Sequence, residues 1–256
     1  MQKEQKTKKF TFFIWFFSHL FVSLTFVENT SVRKKSKKIL VFLSLIRIFA
    51  SMNTQFQHMP WSENVVIADA DYIDRVAFDL TVNFERMLER RIPQADLSTW
   101  LVCAALDGGV SAQGTTQAVL LHSKQKAQLD NFRPALFDDE INGQAFRDER
   151  LGEFLLATVP VEENLVERDD LFLDIVGTVL TQPEVKRVVI VPNAEEGTLY
   201  DDLRETIRRH GQQDEESQKQ VTILTMEPRT GGRFQQDMLG YSLMAALGIR
   251  GDEFKR

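Results

Sequence analysis

The chain has 256 residues, Lys+Arg 31 against Asp+Glu 37, a formal charge of -6, 43% hydrophobic residues and a single Cys. Such a composition excludes a disordered, collagen-like or disulfide-stapled chain, and one thiol excludes a zinc centre built on cysteine pairs. The charge is unevenly laid out, with +8 on residues 1–51 and -14 on residues 52–256.

Residues 1–51 hold no Gly, Pro or Asp and nine of the nineteen Phe. One reading is a membrane anchor, with the apolar run Phe10 to Val27 near the lower length limit for a spanning helix, of which ~20 residues is typical. The exit Thr25-Phe26-Val27-Glu28 offers no small-x-small site for a signal peptidase. The other reading, which the composition favours, is an over-extended start translated from AT-rich DNA. Met52 is then the expected first residue, followed by one α/β domain over 52–256 that needs no membrane and resides in the cytoplasm.

Val65 to Ala68 is a β-branched run and predicts a buried strand. From Tyr72 the spacing turns helical, with Tyr72, Val76, Leu80, Phe84, Met87 and Leu88 on one face until Pro93. Trp100 to Leu106 and Ala118 to Leu121 read as two strands able to pair as a hairpin, the first with some helical character. Residues 123–151 read as a surface excursion with short helices, and Phe154 to Val159 resumes strand. The last third alternates: helix Asp170 to Thr181, strand Val188 to Val191, helix Thr198 to His210, a solvated loop Gln212 to Lys219, strand Val221 to Met226, helix Phe234 to Leu247. That alternation predicts βαβ units, hence a three-layer, mainly parallel, Rossmann-like sheet with helices on both faces. Ligands of such sheets gather at the carboxyl ends of the strands, which directs attention to Asp69, Asp107, His122, Asn193 and Glu227.

Asp69-Ala70-Asp71-Tyr72-Ile73-Asp74, at the mouth of the first strand, is the densest group of candidate catalytic residues. Carboxylates gathered there suit a hard cation such as Mg²⁺ or Mn²⁺ that bridges a substrate phosphate, with Asp69 and Asp71 in the catalytic role. Asp69, Asp170, Asp174 and Glu195 are the expected metal ligands if the sheet brings their elements together. The bland alternative has Asp71 capping the helix, Asp69 bonding loop amides and Asp74 facing the helix dipole. Cys103, in an apolar run, reads as a buried structural thiol, and His122 is the one histidine placed at a strand end. Thr230-Gly231-Gly232-Arg233 reads chiefly as a loop and secondarily as an anion cradle. Arg86, Arg90, Arg91, Lys124 and Lys126 come nearest to a basic patch. No Lys/Arg stripe interleaved with aromatics is visible, so the acidic domain has no strong nucleic-acid surface.

The order strand-Asp, acidic helix start, strand, acidic turn, helix, strand resembles the PIN/NYN nuclease-like domains over about 65–247. That resemblance implies Mg²⁺- or Mn²⁺-dependent cleavage of an RNA phosphodiester, with Asp69 and then Asp170 or Asp174 and Glu195 in the ligand positions. Tyr72 and Pro192-Asn193-Ala194-Glu195-Glu196 depart from that family's motifs. Asp69-x-Asp71 is also similar to the haloacid-dehalogenase phosphatase motif, with Thr225 in the place of its second motif and Ile73 departing from it. Asp69 to Pro93 (DADYIDRVAFDLTVNFERMLERRIP) and Gly240 to Glu253 (GYSLMAALGIRGDE) resemble an uncharacterised family of proteins from gut-anaerobe bacteria, from about Met52 to the end. That resemblance implies no activity. A non-catalytic acidic scaffold or partner-binding domain therefore stands beside the nuclease and phosphatase readings.

Overall fold

A strand with β-branched residues on both faces has to be covered on both sides, and Val65 to Ala68 are at most 1% exposed. The computed structural model describes residues 61–254 apart from Ala112, Glu196 and 211–218. The segment 1–51 and the loop expected from Gln212, up to residue 218, lie outside the described residues.

In chain order the elements are β1 (Asn64–Asp69), α1 (Ala70–Leu88), β2 (Ala95–Asp96), α2 (Leu97–Asp107), β3 (Gly114–Ser123) and β4 (Phe132–Arg133). A π-helical turn (Phe137–Ile141) precedes β5 (Ala145–Asp148), β6 (Gly152–Val161), α3 (Arg168–Leu180) and β7 (Arg187–Val191). The chain continues through α4 (Leu199–His210), β8 (Gln220–Thr225), β9 (Gln235–Met238), α5 (Leu239–Ala246) and a 3₁₀ turn (Gly251–Phe254). The main sheet has seven strands in the order β5-β6-β3-β1-β7-β8-β9. Only the β5–β6 pair is antiparallel. Counted among themselves, the six parallel strands run 3-2-1-4-5-6, and the order reverses between β1 and β7.

Alternating strand positions feed two cores. Val66, Ala68, Ala118, Leu120 and Leu156 face α1, α2 and α5 through Ile73, Trp100, Leu101 and Leu243. Val65, Ile67, Val119, Val188 and Ile190 are buried on the opposite face, where α3 packs on β1 and β7 and against α4. The mainly parallel three-layer architecture is therefore present. Within the predicted α1 stripe, Tyr72 and Val76 are buried, whereas Met87 is 60% exposed.

Three segments differ from expectation. Trp100 to Leu106 belongs to α2, because Asp96 caps its first turn by accepting from the Thr99 N–H at 2.6 Å. Trp100, Leu101, Ala104 and Ala105 then fall on one buried face, and an apolar run covered this completely looks the same as a buried strand. The hairpin with Ala118 to Leu121 therefore does not form, and the antiparallel pair is β5 with β6. Residues 123–151 are anchored from inside, since Phe132 and Phe137 are among the largest fully buried side chains. Finally, Phe234 to Leu247 is divided into the edge strand β9 and the helix α5.

Asp107, at the end of α2, is half-buried, and its carboxyl is pushed up to about 6, first by burial and then by the nearby Asp237 carboxylate. The folded pKa thus exceeds the unfolded one, so the stabilising contribution is complete below pH 3.8 and is lost as pH rises through about 6. A rise from 3.8 to about 6 corresponds at most to about 3 kcal/mol, which solvent screening reduces to about 1–2 kcal/mol. Asp107→Asn should therefore raise the urea midpoint of unfolding relative to the parent at pH 8, and much less at pH 4. An equal gain at both pH values would refute the assignment.

Candidate functional site

The chain leaves β1 directly into α1, so Asp69 is both the last strand residue and the helix N-cap. Its carboxylate accepts from the Tyr72 N–H at 3.0 Å. This reverses the expected roles of the two acids: Asp69 caps, and Asp71 does not. Asp71 instead reaches sideways over the end of β3, where it accepts from the Ser123 N–H at 2.8 Å.

Both acids converge on Arg168, the first residue of α3. Its guanidinium donates to Asp69 at 3.1 Å, to Asp71 at 2.6 Å and to Glu163 at 3.1 Å. The Arg168 side chain is only 19% exposed. Burial raises the Asp69 carboxyl above the usual aspartate range, against the opposing pull of Arg168 and the Tyr72 N–H. Arg168 itself is held charged by Asp69 and Asp71, although burial opposes this.

A second cation closes the group. Lys126 Nζ lies 3.6 Å from Asp71 and 3.4 Å from Asp74. Asp74 is buried, and it accepts from the Asn131 N–H at 2.8 Å and from the Asn131 side-chain amide at 3.3 Å. It therefore ties α1 to the segment after β3. Three aspartates and Glu163 thus share one arginine and one lysine in a single network at the carboxyl ends of β1 and β3.

The other expected site residues lie elsewhere. Glu195, after β7, accepts from the Tyr72 hydroxyl at 3.1 Å and from Arg75 at 3.1 Å. Asp170 is exposed in the first turn of α3, and Asp174 is half-buried one turn further along. Among the described residues no group of three or more His, Cys, Asp or Glu side chains is arranged to hold a metal ion. Asp69, Asp170, Asp174 and Glu195 are thus not brought together into the expected centre. Asp69 and Asp71 do meet, but around a guanidinium.

His122 is 4% exposed, with its ring stacked on Phe137 at a centroid distance of 3.7 Å. Its Nδ1 lies 2.9 Å from the Ser123 carbonyl, which can only accept, so the neutral ring carries its proton on Nδ1. Burial pushes its pKa below the ordinary value. This is a core histidine. Thr225 spends its hydroxyl on the Glu227 carbonyl at 2.7 Å. Cys103, on α2, is half-buried, and burial raises its thiol pKa. Four of the five residues of the expected basic patch are paired: Arg90 with Glu253, Arg91 with Glu85, Lys124 with Glu162, and Lys126 as above. The residues that sequence reasoning missed are Arg168, Glu163 and Asn131.

Residues 58–254 match the model of a family of unknown function, DUF6621. The chain belongs to this family. The match spans the whole described α/β domain and begins after the basic N-terminal segment, as the two sequence blocks led us to expect. No curated protein and no solved structure matches the chain. Among the described residues of this DUF6621 member, no helix is long and apolar enough to cross a membrane.

Proposed function

We propose that the domain is a non-catalytic, acidic partner-binding domain, and that the carboxylates at its strand ends form an internal clasp. The observation that carries this reading is Arg168, whose single guanidinium engages Asp69 and Asp71 together. A hard divalent cation needs several oxygen ligands turned toward one point. Here one Asp69 oxygen accepts from both Arg168 and the Tyr72 N–H, one Asp71 oxygen accepts from Arg168 and the Ser123 N–H, and the other Asp71 oxygen faces Lys126 at 3.6 Å, so two cationic side chains already stand where the ion would. The residues present therefore do not fit such an ion.

The same geometry fills the place where sheets of this strand order receive a ligand anion. That place is the N-terminus of the helix after β1, where free N–H groups attract negative charge. In this protein the Asp69 carboxylate supplies the charge. Arg168 then ties the start of α3 to the start of α1 over the carboxyl ends of β1 and β3, which suits a rigid platform better than a site that must admit substrate.

The test is calorimetry of the full chain with MnCl₂, with parallel assays on single-stranded RNA and on p-nitrophenyl phosphate. We expect no binding heat and no turnover in the parent or in Asp69→Asn. Mn²⁺ binding, RNA cleavage or phosphate release that is present in the parent and abolished in Asp69→Asn would overturn the proposal.

A further inference from the structure

In sheets of this kind a helix ordinarily covers each parallel crossover, yet β8 and β9 are joined by residues 226–234 without one. The loop runs beside α4 and is fastened to it, with Tyr200 donating to the Thr230 carbonyl at 3.0 Å and Arg204 to the Gly231 carbonyl at 3.1 Å. What the missing helix leaves is a groove of about 530 Å³ between α4, the start of β8 and this loop. That volume lies within the range of small-molecule sites, roughly 300–1,000 Å³.

The floor is apolar: Ile207 from α4, Val221 from β8 and Phe234 from the loop. Phe234 is held edge-on to Tyr200, with ring centroids 6.4 Å apart. Gly232 permits this, because a Cβ there would lie 2.3 Å from the Phe234 ring. The rim carries Arg204, Arg208, Lys219 and Arg233 against Asp201 and Glu205. Arg204 is paired with Asp201, and Arg208 with Glu205. Lys219 donates to two backbone carbonyls and has the Glu184 carboxylate near it, outside the groove. Arg233 has no hydrogen bond or ion pair among the described residues. A domain of net charge -14 thus presents, over an apolar floor, a groove whose lining carries four cations against two acids.

We propose that this groove binds a small amphipathic anion, a carboxylate, sulfonate or phosphate ester carried on a flat apolar body. The apolar body would lie against Phe234 and Val221, and Arg233 and Lys219 would meet the charge. Lys219 and Val221 stand at the amino end of β8, whereas the Arg168 clasp lies at the carboxyl ends of β1 and β3. The inference is therefore independent of whether the clasp is catalytic.

The probe is 8-anilinonaphthalene-1-sulfonate, compared with the neutral N-phenyl-1-naphthylamine, each titrated into the full chain by fluorescence. We expect saturable binding of the sulfonate, at least fivefold tighter than the neutral compound. Arg233→Gln, on the exposed rim, should weaken the sulfonate at least fivefold and leave the neutral probe unchanged. Gly232→Ala, which displaces the Phe234 ring, should weaken both, with circular dichroism showing that both variants fold. Equal affinity for the two probes, sulfonate binding untouched by Arg233→Gln, or no saturable binding would each overturn the proposal.

Discussion

Arg168→Met will cost about 3 kcal/mol or more of folding stability at pH 8, the scale on which removing one partner of a buried ion pair destabilises a protein. Methionine keeps most of the side-chain length and apolar stem, so the loss reports the guanidinium. Without it, Asp69 and Asp71 face one another with Asp69 buried, and the effect that already raises the Asp69 carboxyl is no longer opposed by Arg168. The variant has one escape, which is to protonate Asp69.

That escape fixes the pH dependence. In the variant the folded pKa of Asp69 lies further above its unfolded value of 3.8. The folded state then binds a proton more readily, and stability is recovered as pH falls toward the unfolded pKa. The deficit relative to the parent, read from urea unfolding, should therefore be largest at pH 8 and shrink steadily toward pH 4. Asp69→Asn should be much milder, because asparagine also caps a helix and Arg168 retains Asp71 and Glu163. If Arg168→Met unfolds at the parent's urea midpoint at pH 8, the clasp is not what closes this end of the sheet.

The layered α/β plan was legible because it rests on periodicity. Val65 to Ala68, Val188 to Val191 and Val221 to Leu224 declare themselves as buried strands, and the helices between them carry apolar residues at helical spacing. Trp100 to Leu106 was ambiguous on physical grounds, since a helix buried on nearly all sides loses the polar stripe that betrays its period. β9 was illegible for the opposite reason. Gln235, Gln236 and Asp237 are polar on both faces at the rim of the sheet, so they read as the first turn of the helix that follows.

The candidate site was half legible. Asp69 and Asp71 stood out as acids at a strand mouth, and they do meet. What could not be seen was the counter-charge, because Arg168 lies 97 residues away from Asp71 in sequence. A hint was present: Arg168 is the one cation among Glu162, Glu163, Glu167, Asp169 and Asp170. A lone base inside an acidic run at a helix start works against the helix dipole, and such a misplacement signals a specific partner. Reading acids by themselves suggested a metal centre. Reading the nearest misplaced base with them would have suggested an ion pair.

Gly152→Ala should be the most damaging single-methyl change in the domain, at about 3–4 kcal/mol, by combining backbone strain with steric overlap in one site. Gly152 opens β6 with φ +95°, a conformation that L side chains rarely adopt, and it sits directly opposite Gly114 at the start of β3. A Cβ there would lie 2.3 Å from the Gly114 carbonyl oxygen and 2.7 Å from its nitrogen. Both are backbone atoms, so no side chain can rotate away. The Gly114 N–H also donates to the Leu151 carbonyl at 3.0 Å, which any retreat of the turn would stretch. Gly143→Ala supplies the control, because its φ is also positive but nothing lies within 4 Å of its added Cβ. Strain alone should cost that variant about 1–2 kcal/mol. The difference between the two, measured by urea unfolding, isolates the steric contribution of the β3–β6 junction. A Gly152→Ala loss no greater than that of Gly143→Ala would mean that the two strands separate here without penalty.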